Sequence, residues 1–489
     1  MKWKNIHRLA IGIAAMLIFA QSCKIGQKYN RPDLDVPEKF RGDFTNSDTD
    51  TIGMAQVHWR DFFKDSTLRV LIDTVLHNNN DIKTALLNLE IANRQLLQNK
   101  ANYLPSVNMD IATANKQWRS SEFGSSPSSR WYERHQKDAP DDWFTYVSQF
   151  GTQLNFSWEL DIWGKISHMN EQLLADYLDT DEARKAIQTN LIAQVAKGYF
   201  NLLMLDAKIE VAKRNVLLND STIRMIKLQY EAGEITALAI QQTESQRLLA
   251  ASLVPELEKE IMIQENALRI LAGQWANAVK RGQDVEHIFG TTGEPVISLG
   301  SPLDIIRNRP DIRRAEFQLI SANADMNIQQ TMRYPSLTLG GAFGVNSMLP
   351  QNWFNIPGAL LGNISAGLTT PIFRNKTLKT RYEVAKLERE QAEINFQQQV
   401  LEAANEVSNA IVTVDKQREQ LDFARQRVNN AQLAVRNANL LFKSGYATYL
   451  EVITAQSNAL NSDLALAELK RKQLEAFVDL YRALGGGWE

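Results

Sequence analysis

Residues 152–170 read TQLNFSWELDIWGKISHMN, and their period changes partway along. Thr152, Leu154, Phe156, Trp158, Leu160 and Ile162 fall on one side of an extended chain. Gln153, Asn155, Ser157, Glu159 and Asp161 fall on the other. Strict alternation marks a strand with one apolar and one polar face. Past Gly164 the alternation stops, and no proline appears until Pro255. A two-faced strand therefore runs straight into a very long helix.

Composition narrows what such a chain can be. Its 489 residues allow two or three ordinary domains or one elongated molecule. Lys and Arg (54) nearly cancel Asp and Glu (56), so charge gives no sign of nucleic-acid binding. Hydrophobic residues make up 44 %, yet past the N-terminus there is no apolar run of the ~18 residues a membrane helix needs. A membrane role would have to come from strands. At the start, Lys2, Lys4 and Arg8 precede an apolar stretch from Leu9 to Ala20, so residues 1–22 read as a signal peptide. Cys23 follows, the only cysteine. A lone cysteine is ordinarily a small buried hydrophobe, and one cysteine excludes a disulfide framework and a cysteine zinc cluster.

The chain is an internal duplication. Displaced by 230 residues, NDIKTALLNLEIAN (80–93) lies over PDIRRAEFQLISAN (310–323), and Pro105-Ser106 over Pro335-Ser336. A slightly smaller shift places YEAGEITAL (230–238) over FKSGYATYL (442–450) and RILAG (269–273) over RALGG (482–486). After an N-terminal segment at 23–62, repeat 1 spans 63–275 and repeat 2 spans 301–489, joined by a linker at 276–300. Each repeat opens with a helix, over 66–102 and 301–333. Strands follow at 103–117 and 147–162 around a loop at 118–146, and at 334–345 and 360–373 around a loop at 346–358. Long helices at 164–230 and 375–443 would each extend ~100 Å. In the second, Val400, Val407, Val414, Leu421, Val428, Val435 and Phe442 recur every seventh residue, the spacing of a left-handed coil. Gly233 and Gly445 stop the long helices, and shorter helices return over 237–273 and 448–484. Pro255 is expected to kink the first of these.

Four strands per chain set a constraint. In lipid an open sheet leaves edge N–H and C=O groups unpaired at several kcal/mol each, so membrane sheets close. Known barrels have at least about eight strands, so this chain would have to share one with other copies. The soluble alternative, a sheet with one solvated face, fits the alternation but not the long rods beside it.

Several motifs now point one way. They are KYNRP (28–32), WRDFFKDSTL (59–68), WELDIWGK (158–165), RPDIRRAE (309–316), YPSL (334–337) and the closing ALGGGW (483–488). Together they resemble the TolC family, and more narrowly its lipoprotein, NodT-type branch of outer-membrane efflux factors. The resemblance covers essentially the whole chain, with the motifs in order. It implies a membrane β-barrel continued by a long α-helical barrel: three chains, each with two repeats and four transmembrane strands, close twelve strands in the outer membrane. The helices then form a tunnel across the periplasm. The implied partners are a periplasmic membrane-fusion adaptor and an inner-membrane RND-type transporter, besides outer-membrane lipid. AQSC (20–23) resembles a lipobox, although Ala20 stands where Leu is usual and Gln21 where a small residue is usual; Cys23 would carry a covalent lipid, with no other cofactor.

The alternating positions Gln149, Gln153, Asn155, Ser157 and Glu159 are then expected to face the barrel lumen, with Phe156, Trp158 and Leu160 toward lipid. Trp158 and Trp163 suit the membrane interface. In the family an acid six residues after the turn glycine, and a second three later, ring the periplasmic gate. Those positions here are Glu451 and Thr454, so the second acid is missing. Thr448 and Glu451 also have the T-x-x-E spacing of a capping box. The histidines (7, 58, 77, 135, 168, 287) are scattered without metal-ligand spacing, and Gly485–Gly487 follows a helix and lacks the P-loop lysine. No catalytic constellation is visible. The reading is a passive outer-membrane exit duct of a tripartite efflux pump for small amphipathic compounds. A polypeptide exit of type I secretion and a periplasmic coiled-coil scaffold are the alternatives.

Overall fold

A computed structural model describes residues 25–34, 57–120, 144–282 and 308–488. The signal peptide, Cys23, most of the 118–146 loop and most of the linker fall outside the described residues. Among those described, no helix is long and apolar enough to cross a membrane. The helices are α1 (Trp59–Phe62), α2 (Ser66–Asn78), α3 (Asn80–Lys100), α4 (Lys165–Glu231), α5 (Ala237–Leu271), α6 (Pro310–Thr331), α7 (Thr377–Lys443) and α8 (Tyr449–Ala483). The strands are β1 (Ser106–Ser120), β2 (Phe144–Leu160), β3 (Ser336–Ser347) and β4 (Leu360–Thr369). The long helices α4 and α7 have 67 residues each, and the returning helices α5 and α8 have 35 each. α5 runs through Pro255 as a single helix.

The chain separates into two compact units. The first draws on residues within 1–30, 93–176 and 320–391 and holds the sheet, an antiparallel meander in the order β1-β2-β3-β4. The change from strand to helix at the end of β2 has a local cause. Gly164 turns the chain at φ +81°, a region that favours glycine. The Asp161 carboxylate accepts the backbone N–H of Ile166 and of Ser167, both at 2.9 Å, satisfying first-turn donors of α4. Trp158 and Trp163 are fastened close by: their indole N–H groups donate to the carbonyls of Tyr103 (2.9 Å) and Pro335 (2.6 Å).

The second unit draws on residues within 31–92, 177–319 and 392–489. Met204, Leu205, Ile209 and Ala212 of α4 pack with Leu257 of α5 and Ala467 of α8. Nearer the turns, Ile226, Ala239, Phe442 and Val452 bring α4, α5, α7 and α8 into one core. The seven-residue series on α7, Val400 to Phe442, is buried at every position. One polar knot closes this unit. Buried Arg309 holds the Asp311 carboxylate bidentately at 3.0 and 2.6 Å, reaches Glu406 at 2.7 Å, and donates to the Ala483 carbonyl at 2.8 Å. Burial raises the carboxyl pKa of Asp311, but the Arg309 hydrogen bonds and charge outweigh it and hold it below the ordinary value.

Several boundaries differ from the sequence expectation: the helix expected over 301–333 is present from Pro310, and β4 ends at Thr369 rather than at 373. The helix expected over 66–102 is two helices, because the Asn79 side chain accepts the N–H of Asp81 (2.7 Å) and Ile82 (3.2 Å) and starts α3 afresh. β1 begins at Ser106, since residues 101–103 form a 3₁₀ turn.

Candidate functional site

The sheet is two-faced across all four strands. Residues directly opposite each other in an antiparallel ladder share a face. On one face stand Val107 opposite Phe156, Met109 opposite Leu154, Leu154 opposite Phe343, and Gly341 opposite Ile364. Many of these apolar side chains are exposed in the single chain; Ile364 is 87 % and Val107 62 % accessible. The opposite face joins Asn108 to Asn155, Asp110 to Gln153, Ser157 to Gly340 and Glu159 to Thr338, and continues through Ser365 and Asn363. Gln149, Gln153, Asn155, Ser157 and Glu159 all belong to this polar face. Glu159 meets Lys165 at 3.0 Å.

The sequence reading missed a bulge. β1 carries one extra residue between Asp110 and Thr113, so that Asn115, rather than Ala114, stands opposite Gln149. Thr152 Oγ1 donates to the Ile111 carbonyl at 2.6 Å inside this irregularity. The bulge switches the parity of β1 and returns Thr113 and Asn115 to the polar face. It also missed a clasp. Among the scattered histidines, buried His168 lies 2.8 Å through Nε2 from the Ile25 carbonyl and 2.9 Å through Nδ1 from Glu171. Asn323 and Asn327 donate to the Gln27 carbonyl at 3.2 and 3.0 Å. These contacts seat residues 25–27 against the first unit. The paired asparagines four apart on one helix were the only signal.

The turn between α7 and α8 holds the other candidate residues. Gly445 takes φ +78° and its counterpart Gly233 takes φ +75°, each ending a long helix in the left-handed region. Thr448 is the N-cap of α8, and the Glu451 carboxylate accepts its backbone N–H, the reciprocal bond of a capping box. Thr448, Glu451 and Thr454 are all exposed. In repeat 1 the matching turn places Ala239 and Gln242 where Glu451 and Thr454 stand, so the acid belongs to one turn of the two. The Tyr449 hydroxyl donates to Gln242 at 2.8 Å and links the two turns. Among the described residues no group of three or more metal-type side chains converges.

A two-faced open sheet carried on paired long helices is matched in sequence. The model of the outer membrane efflux protein family matches residues 71–274 and again 302–486. The chain belongs to the outer membrane efflux protein family. Its relatives include the cation efflux system protein CusC of Escherichia coli O6:H1, 25 % identical over 467 residues, 96 % of each chain. The probable outer membrane lipoprotein SilC of Salmonella typhimurium is 25 % identical over 480 residues, covering 98 % of each. Among solved structures, the open state of the Neisseria gonorrhoeae MtrE outer membrane channel superposes with a TM-score of 0.81 at 26 % identity, covering 96 % of this chain and 99 % of that one. As a family member the chain is an efflux duct of the outer membrane.

Proposed function

We propose that three copies of this chain close a twelve-stranded barrel and form the passive outer-membrane exit of a tripartite pump, fed by a periplasmic adaptor and an inner-membrane RND-type transporter. The observation that carries this is the sheet. Both outer edges, on β1 and β4, lack partners among the described strands. Its outward face is apolar and exposed, and such a sheet cannot stand in hydrocarbon unless its edges pair. The helices support the same assembly: Leu387, Ile394 and Leu401 recur every seventh residue on α7 and are exposed in the single chain. The polar residues Gln149 to Glu159 then line water, and Cys23 carries a lipid that supplements the barrel as an anchor. Unmodified Cys23 in the mature protein would contradict that last point. Transport through such a duct needs no catalytic step in this chain.

The cargo is small amphipathic compounds. Deleting the gene should raise retention of small amphipathic dyes by cells, and a plasmid copy should reverse it. Unchanged retention together with a lost secreted polypeptide would favour the secretion exit instead.

The same reading makes Glu451 both a cap and a gate residue. Gln also serves at the third position of a capping box, so Glu451→Gln should cost less than the ~1 kcal/mol of losing a cap. An amide cannot replace a ring of three carboxylates that attracts cations in a narrow mouth. Glu451→Gln should therefore weaken block by divalent cations in planar bilayers while melting stays unchanged. Intact block would leave Glu451 as a cap alone.

A further inference from the structure

Next to the bulge, the polar face of the sheet carries a charge that the expected lumen residues do not include; the Arg119 position on that face lies nine residues farther along β1. Asp110 stands on β1 opposite Gln153, at the edge of the bulge. Its Oδ2 accepts from Asn155 Nδ2 at 2.7 Å, with Gln153 Nε2 at 3.5 Å. Both neighbours are neutral amides. They orient the carboxylate without cancelling its charge. The other acid on this face, Glu159, is paired with Lys165 at 3.0 Å, so the pair adds little net field. No ion pair of Asp110 exists among the described residues, whereas most acids of the helices have one.

The neighbouring copy does not neutralise it either. In the proposed barrel β1 pairs with β4 of the next chain. The polar face of β4 presents Asn363, Ser365, Gly367 and Thr369, none of them charged. Three Asp110 carboxylates would then ring the lumen. Twelve strands ~4.8 Å apart and tilted ~40° enclose a backbone radius of about 12 Å. With side chains projecting inward, a solute in the lumen passes within about one Debye length of the ring, ~10 Å at 0.1 M salt.

We infer that Asp110 is a charge-selecting residue of the duct, one that raises the local concentration of cationic solutes over anionic ones inside the barrel. The inference rests on the lumen-facing reading of this polar face. It adds a second point of selection, in the barrel, to the one at the helix turns.

Charged thiol reagents test it on the assembled protein in outer membranes. Asn108 is exposed, shares the polar face and lies two residues from Asp110, so Asn108→Cys is the reporter. The parent chain, with Cys23 alone, gives the background. Trimethylammonium and sulfonate methanethiosulfonate reagents of similar size are compared. With Asp110 present the cationic reagent should react faster. Adding Asp110→Asn, whose carboxamide oxygen can still accept from Asn155, should lower the cationic-to-anionic rate ratio about threefold at ~0.1 M salt and little at ~1 M. An unchanged ratio would overturn the inference while leaving the lumen reading intact. A reporter that neither reagent modifies, in correctly assembled protein, would overturn the lumen reading and the inference with it.

Discussion

Arg309→Met should lower the stability of the second unit by about 3 kcal/mol, the low end of the cost of breaking a buried ion pair. The low end applies because Asp311 and Glu406 keep about a third of their side-chain surface in water. The loss has three parts. Asp311 loses a bidentate partner, Glu406 loses one of its two arginines, Arg482 being the other, and the Ala483 carbonyl loses its donor. Methionine fills much of the volume but satisfies none of these groups. Arg309→Lys should fall between, keeping the charge but not the fork. The pH dependence is diagnostic. In the native protein Asp311 has a lowered pKa, so its contribution is present above the unfolded carboxyl value, ~3.9, and fades as pH falls through the folded value. In Arg309→Met the strongest opposition to burial is gone, while the Ile312 N–H and the Gln399 amide still favour the Asp311 carboxylate. Its pKa therefore lies higher than in the native protein, and protonation costs the variant less as pH falls. The stability gap should narrow on acidification. Thermal melting followed by circular dichroism at several pH values measures it, and a constant gap would mean that Arg309 acts by packing alone.

Gly344→Val should have the largest effect on the barrel. A Cβ built at Gly344 meets the backbone carbonyl of Thr152 and lies 2.6 Å from the Gln153 Cα. Both are main-chain atoms of β2, so no rotamer change gives relief. Overpacking of this kind costs about 1–3 kcal/mol, and a trimer incurs it three times. Valine favours strands, so a loss cannot be ascribed to propensity. The expected outcome is a protein whose heat-sensitive trimer band is lost or strongly reduced on semi-native gels, with the helix content largely kept. Gly362→Ala, where the nearest atom is 3.8 Å away, is the control that should assemble normally.

The large elements were legible because they repeat. Alternation from Thr152 to Leu160 disclosed a two-faced strand, and the series from Val400 to Phe442 disclosed a buried helical seam that the structure retains at each position. The turn glycines Gly233 and Gly445 were legible because few other residues suit a positive φ. What escaped depends on small or ambiguous side chains. The bulge falls in IATA (111–114), where alanine and threonine suit either face, so the parity change left no trace. The break at Asn79 sits in a run of three asparagines with no glycine or proline, and only the hydrogen bonds of one side chain mark it. The Arg309 knot joins residues that are far apart in sequence, and no local pattern announces such a contact. Asp110 is polar by residue type alone, but its standing as an acid without an ion-pair partner required knowing that Lys165 takes Glu159.

The central claim is that this chain's sheet is one third of a shared barrel. The mass of the protein extracted in mild detergent, with bound detergent subtracted, tests it most directly. Three chains per particle are expected, with the sheet lost if the particle is forced apart. A stable, folded monomer that keeps its sheet would contradict the claim, because open edges and an apolar face would then be tolerated without partners.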